Sequence, residues 1–388
     1  MCDLRSFENI PFFVFTEYLE IDDLLKLSKL NDWVRKEIFF KTRGIRINVS
    51  SRARGEMIMA CIKNVKLTVD YPNLLVDEDI KLLPRLTSLN LYSNKFVTDQ
   101  GLGILTGLIS LDLDSNDKIS DNCLEVIAPK LKILSLRDNA MISNQGLYHL
   151  SNLTSLDLTN CSAQITNDGC SRLISLEKLY IRQNNYISRA GLLSVSGTLK
   201  TLILGDNSNI GDETLIQMTN LTTLNIDGNT RITDLVLKEL SCLTSLSINY
   251  NNNITDGGLV SFGSNLKMLK LGDNINITDD GLVDLKNLTA LDLAHNKKIT
   301  DMGLMNKRSL TYLNLTNNTL ITDGIMKFLG ELRILNLSMK SNITEEGVMS
   351  LNNLEILDVY KNKTLVEGDL FKRLAGVRNE IMIHDYIE

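Results

Sequence analysis

The sequence predicts an α/β solenoid, curved, with a parallel sheet on its concave face and short helices on its convex face, preceded by a small helical unit. A unit of 22 or 23 residues recurs along most of the chain and is most regular in LKMLKLGDNINITDDGLVDLKN at residues 266–287. Within each unit, apolar residues at positions four and six alternate with polar neighbours, as a half-buried strand requires. A run of the type Ile-Thr-Asp-x-Gly-Leu then follows a turn, and no such register is found before Ile45.

Residues 1–44 carry two helical patterns, over residues 11–18 and 21–40. In the second, Leu24, Leu25, Leu27, Leu30, Val34 and Ile38 recur every three or four positions, the mark of a buried helix face. Asp22 and Asp23 favour the positive end of that helix. A chain of about 40 residues buries too little apolar surface to stand alone, so this unit leans on the solenoid or on another protein.

Residues 45–85 read as degenerate capping repeats. Ile45 and Ile47 lie 22 residues before Leu67 and Val69, which lie 22 before Leu89 and Leu91. Ser50 and Pro72 occupy the ninth positions. No Gly/Ser/Pro-rich linker separates the helical unit from the array, which predicts a rigid junction.

Residues 86–375 hold thirteen full repeats, starting at Leu86, Leu108, Leu131, Leu153, Leu176, Leu199, Leu221, Leu243, Leu266, Leu288, Leu310, Leu332 and Leu354. Their ninth position is Asn in eleven repeats, Cys161 in the fourth and Lys340 in the twelfth. An Asn amide both donates and accepts, so it can satisfy backbone groups that the turn would bury unpaired at about 1–3 kcal/mol each. Lys340 accepts nothing, and a local irregularity is expected there. Ile-Thr-Asp-x-Gly-Leu reads as an apolar anchor, a Thr N-cap, an acidic first turn and a short helix. Residues 376–388 read as a closing unit whose strand is Ile381, Met382 and Ile383.

Charge and cysteine usage limit the function classes. The chain has 388 residues and a formal net charge of −6, which argues against general attraction to a nucleic-acid backbone. Cys2, Cys61, Cys123, Cys161, Cys170 and Cys242 form no CxxC pair and read as free thiols of a reducing compartment. The opening run MCDLRSFENIPFFVF carries Asp3 and too short an apolar stretch for a signal peptide. No segment approaches the roughly 18 apolar residues of a membrane span. A cytoplasmic or nuclear location is expected, with no membrane or nucleic-acid partner; triplets such as Asn220-Leu221-Thr222 arise from the repeat itself.

The repeats resemble the leucine-rich repeat superfamily over residues 45–388. Their Ile-Thr-Asp-x-Gly-Leu element is similar to that of repeats in F-box proteins, although those commonly run to about 26 residues and often place Cys at the turn. The N-terminal unit resembles an F-box. Ile10-Pro11 stand where that family usually has Leu-Pro, and Phe15 and Leu19 follow on the first helix. Asp23-Leu24 match the usual Asp-Leu, Leu27-Ser28-Lys29-Leu30-Asn31 match the next helix, and Trp33 falls one position before the usual aromatic.

This resemblance implies a substrate-recognition subunit of a cullin-RING (SCF-type) ubiquitin ligase, without chemistry of its own. The F-box would dock on the small adaptor subunit through Ile10, Pro11, Phe15, Leu19, Leu24 and Leu27, and the repeats would hold a substrate protein. The alternative is that these residues merely close the N-terminal end of the array, and that the protein is a scaffold or host-interaction module without ubiquitin machinery. An enzyme is not expected. His149, His295 and His384 lie far apart in the register, and no phosphate loop, nucleophile elbow or HExxH occurs. No cofactor or metal is implied. Some bacterial leucine-rich repeat proteins are ubiquitin ligases, but through a separate domain after the repeats, for which the closing strand leaves no room.

Positions three, five and seven of each repeat alternate with the buried positions and so face the concave side. Two groups there depart from small or polar residues. Arg137, Lys178, Tyr180 and Arg182 form a basic island bounded by Asp112, Asp114, Asp157 and Asp227, suited to an acidic or phosphorylated segment unless those carboxylates already pair the cations. Met268, Ala290, Tyr312, Ile334 and Ile356 form an apolar row at position three, a strip of roughly 20 Å at the usual strand spacing. Such strips mark interaction sites. The competing reading is cover by the chain's own C-terminal residues, Tyr386 and Ile387 among them.

Overall fold

The computed structural model describes residues 75–81, 86–161, 164–207, 209–366 and 382–384. The helical unit of residues 1–44, the capping residues 45–74 and the C-terminal Tyr386 and Ile387 lie outside the described residues. The chain divides into two compact units, one reaching to Tyr180 with residues 190–195, the other holding residues 181–189 and everything from Ser196 onward.

In the first unit, β1 (Ser88–Asn90), β2 (Ser110–Asp112), β3 (Ile133–Ser135), β4 (Ser155–Asp157) and β5 (Lys178–Tyr180) pair in sequence order, all parallel. In the second, β6 (Thr201–Ile203), β7 (Thr223–Asn225), β8 (Ser245–Ser247), β9 (Met268–Lys270), β10 (Ala290–Asp292), β11 (Tyr312–Asn314), β12 (Ile334–Asn336), β13 (Ile356–Asp358) and β14 (Met382–His384) pair likewise. The register places equal repeat positions side by side, so Leu269, Leu291, Leu313, Leu335 and Leu357 stack in one buried row, each with no exposed surface. Burying such a side chain is worth about 1.5–3 kcal/mol, and this stack is the main cohesion between neighbouring repeats. The last strand begins one residue later than expected from sequence, with Ile383 beside Leu357.

After each of β1 to β13 the chain reverses through a residue in the left-handed region. Eleven of these are not glycine, among them Ser93, Tyr250, Asp273, His295 and Lys361. An L-residue pays for this conformation. The cost is offset by extending the ladder into the turn, as in Asp273 N–H to the Ala294 carbonyl (3.1 Å) and His295 N–H to the Thr316 carbonyl (2.8 Å).

The ninth-position amides do the work anticipated for them. Asn296 Nδ2 donates to the Asn274 carbonyl (3.3 Å), while its Oδ1 accepts from the N–H groups of Lys298 and Ile299 (both 2.9 Å). Cys161 substitutes only in part, its thiol donating to the Leu136 carbonyl at 2.7 Å. Lys340 is exposed, and the irregularity is present: the Ile343 N–H turns to Ser341 Oγ at 3.0 Å. Lys340→Asn is expected to restore the inter-repeat amide and raise stability by about 1 kcal/mol. Urea unfolding followed by circular dichroism checks this, and an unchanged midpoint would show that Ser341 already suffices.

On the helical side, Thr278 is an N-cap, its Oγ1 accepting from the Asp280 N–H ahead of the helix Asp279–Leu282. The first-turn Asp has a second role that local reading misses. Asp256 accepts from both the N–H (2.8 Å) and the Oγ1 (2.7 Å) of Thr278 in the next repeat. The same clamp joins Asp279 to Thr300 and Asp301 to Thr322 in the second unit, and Asp99 to Ser120 in the first. It also joins Asp77 to Thr98, so a repeat precedes β1, with the Leu75 carbonyl accepting from Asn94 Nδ2 at 3.0 Å.

Candidate functional site

The repeat geometry leaves one face of each unit lined by the third, fifth and seventh positions. On the strand face of the first unit, Arg137 Nε donates to Asp157 Oδ2 at 2.6 Å and stands 3.9 Å from Asp114. This bond to Asp157 holds the guanidinium proton more firmly than usual. Asp112, close by, has its carboxyl pushed up by burial, with the charges of Asp114 and Asp157 adding to the effect against Arg137. Lys178 is exposed on β5, and Tyr180 is half-buried beside Asp157 in the register. In the second unit, Arg182 stands 3.4 Å from Asp227, which also accepts from Ser247 Oγ and the Asn249 N–H. Arg137 and Arg182 therefore each have a carboxylate partner within their own unit.

The apolar row lies wholly in the second unit. Met268, Ala290, Tyr312, Ile334 and Ile356 are direct register partners on β9 to β13. The same register holds Thr201, Thr223 and Ser245 on β6 to β8, so the surface changes character at β9. Met268 is 40% exposed and the other four are half-buried. The Tyr312 phenol is pushed up by burial and further by the charges of Asp292 and Asp358. These two carboxylates thus act on the middle of the row from the neighbouring fifth-position row, a proximity that residue types alone do not disclose.

On β11 to β13 the fifth and seventh positions beside the row are cross-bonded. Asp358 accepts from Asn336 Nδ2, Ser338 Oγ and the Tyr360 N–H, and Thr316 Oγ1 donates toward Asn314 and Asn336. Such a network rigidifies the polar ground next to the apolar strip. Among the described residues, no group of three or more His, Cys, Asp or Glu is placed to hold a metal ion, and no helix is long and apolar enough to cross a membrane. Cys123, Cys161 and Cys170 are buried, and burial pushes each thiol up to about 12, which makes them poor nucleophiles. The residues expected to contact an adaptor, Ile10, Pro11, Phe15, Leu19, Leu24 and Leu27, lie outside the described residues.

Comparison with known proteins bears on the fold. A family model described as Leucine Rich repeat matches residues 217–238, 239–263, 284–306 and 306–330. No curated protein matches the chain. Among solved structures, an internalin (InlF) from Listeria monocytogenes is similar at 25% identity and a TM-score of 0.51, over 74% of this chain and 83% of that one. The Drosophila Toll–Spatzle complex is similar at 16% identity and a TM-score of 0.51, over 82% of this chain and 49% of that one. The stacked leucines, the ninth-position amides and these likenesses agree: the repeats of this chain are leucine-rich repeats, and each unit has the leucine-rich repeat solenoid fold.

Proposed function

We propose that this chain is a protein-binding receptor that serves as the substrate-recognition subunit of a cullin-RING ubiquitin ligase. The apolar row on β9 to β13 carries the binding half of this reading. Five consecutive repeats place apolar side chains on a face where the three preceding repeats of the same unit place Thr or Ser. Nothing in the packing of the strands requires the change, because cohesion is supplied by the buried aliphatic side chains at the fourth and sixth positions beneath. The adaptor half draws on the F-box resemblance of Ile10, Pro11, Phe15, Leu19, Leu24 and Leu27.

Two arms test the halves separately. The full chain is expected to retain the purified adaptor subunit on a column, and a chain lacking residues 1–44 is expected to lose it. If that segment is neither necessary nor sufficient for retention, the ligase reading fails and the same strand face is that of a scaffold or host-interaction module. Ile334→Asp with Ile356→Asp is expected to abolish capture of proteins that co-purify under proteasome inhibition while leaving adaptor binding intact. Capture that survives both changes removes the apolar row from the site.

A further inference from the structure

The apolar row contains a gap. Ala290 sits between the long side chains of Met268 and Tyr312, and two residues further along β10 and its exit, on the same face, come Asp292 and then Ala294. The small Ala290 leaves a slot between the longer Met268 and Tyr312 side chains, and Asp292 is the next residue of β10 on the same face.

Asp292 is also differently engaged from Asp227 and Asp358, the other carboxylates on this face of the second unit. Asp227 accepts from Asn225, Ser247, Asn249 and Arg182, and Asp358 accepts from three neutral donors. Asp292 is half-buried, and its hydrogen bond among the described residues is Oδ1 accepting from the Ala294 N–H at 3.0 Å. Lys270 is its register neighbour on β9, but no ion pair joins them, and the Lys270 side chain is exposed. Displacing a solvated surface lysine costs little, since such pairs are worth about 0–1 kcal/mol.

We infer that the slot on β10 takes an arginine or lysine side chain of the partner, and that the partner segment is a basic, apolar one lying across β10 to β13. The cation meets Asp292, its aliphatic stem packs between Met268 and Tyr312, and following apolar side chains meet Ile334 and Ile356. A guanidinium suits this place best, because it pairs with a carboxylate bidentately and stacks on an aromatic face. Spacing constrains the segment. From β10 to β13 is about 14 Å at the usual strand separation, and an extended chain covers about 13 Å in four residues with side chains on one face at every second position. The recognised pattern is therefore Arg-x-apolar-x-apolar. This rests on the apolar row being the binding surface proposed above, and it adds the chemistry of the occupant.

Asp292→Asn isolates the charge. Asn already stands at the equivalent position as Asn90, Asn225, Asn314 and Asn336, each accepting from the N–H two residues on as Asp292 does. The variant therefore keeps its turn, which an unchanged urea midpoint verifies. The probe is a phage-displayed library of random 12-residue peptides panned on the full chain, with an enriched peptide then measured by fluorescence polarisation. The expected result is enrichment of a basic residue followed by alternating apolar residues. Affinity is expected to fall at least tenfold in Asp292→Asn, at least tenfold when the peptide's arginine is replaced by citrulline, and no further when both changes are combined. Enrichment of peptides without a basic residue, equal affinity for Asp292→Asn, or no enrichment at all overturns the inference. Adaptor retention does not involve Asp292, so its persistence in any of these cases leaves the ligase reading standing.

Discussion

Gly258→Ala will lower the stability of the repeat array by about 2–3 kcal/mol, whereas Gly257→Ala, one residue earlier, will leave it unchanged or raise it by up to about 1 kcal/mol. Both glycines lie in the helix Asp256–Leu259, so removing either relieves the same backbone entropy. Their surroundings differ. A Cβ on Gly257 meets Asp234 Oδ2 and Thr255 Oγ1 at 3.5 and 3.6 Å, which is ordinary contact. A Cβ on Gly258 overlaps Asp234 Oδ1, comes to 3.0 Å from Asp234 Cγ and crowds Ile254 Cγ2 at 3.3 Å. Asp234 cannot withdraw freely, because it holds the Thr255 N–H (2.9 Å) and Oγ1 (2.6 Å). Hydrogen bonds to a charged group are worth about 1.5–3 kcal/mol each, so loss of part of this clamp outweighs the helix-propensity gain. Urea unfolding of both variants, and of Gly258→Ala combined with Asp234→Ala, decides the matter. The double variant should be less destabilised than the sum of its parts, because the clash requires the carboxylate. Strict additivity would show that the glycine and the aspartate are not coupled.

That coupling explains why the Thr-Asp-x-Gly pattern was only half legible. Each residue has a sufficient local explanation: Thr278 caps a helix, Asp279 favours its positive end, and a glycine in a short turn needs no further reason. The partners lie 21 to 24 residues apart, and the aspartate of one repeat fills the space left by the glycine of the next. Periodicity cannot separate these explanations, since both recur at the repeat length. The strand register, by contrast, follows directly from the period, which is why the residues from Met268 to Ile356 are legible as neighbours in the sequence alone. The left-handed turn residue was not readable, because Ser93, Tyr250 and Lys361 carry none of the glycine preference that marks such positions. Nor was the pairing at the basic island. Arg137 has Asp112, Asp114 and Asp157 all within its reach, and only the side-chain geometry selects Asp157 as its closest partner. For the same reason the gap at Ala290 is not legible from its apolar character alone. Its interest lies in being small between two large neighbours.

Lys307→Leu is expected to stabilise the protein at neutral pH by about 2–3 kcal/mol and to remove a pH dependence above it. Lys307 is 1% exposed, at a position filled by Leu105, Ile127, Leu150, Met218, Leu240, Leu285 and Leu329 in other repeats, all of them buried. Its ammonium donates to the Leu282 carbonyl at 2.6 Å, but that carbonyl also accepts from the Leu285 N–H, so substitution leaves no orphaned acceptor. Burial pushes the amine down to about 8 from an unperturbed 10.5, with Asp284 opposing and Lys286 adding to the shift. Below about pH 8 the folded and unfolded chains both hold the proton, and the folded chain bears the full penalty of the buried charge. Between about 8 and 10.5 only the unfolded chain holds it, so stability rises with pH through that window, by about 3 kcal/mol over its whole width. Urea midpoints for the native chain and the variant at about pH 7 and about pH 9.5 check the sign. The variant's advantage should shrink at the higher pH, as the native lysine sheds its proton. An advantage that stays constant would mean that the gain comes from packing alone, and that the Leu282 carbonyl compensates the buried ammonium well enough to keep its ordinary affinity for the proton.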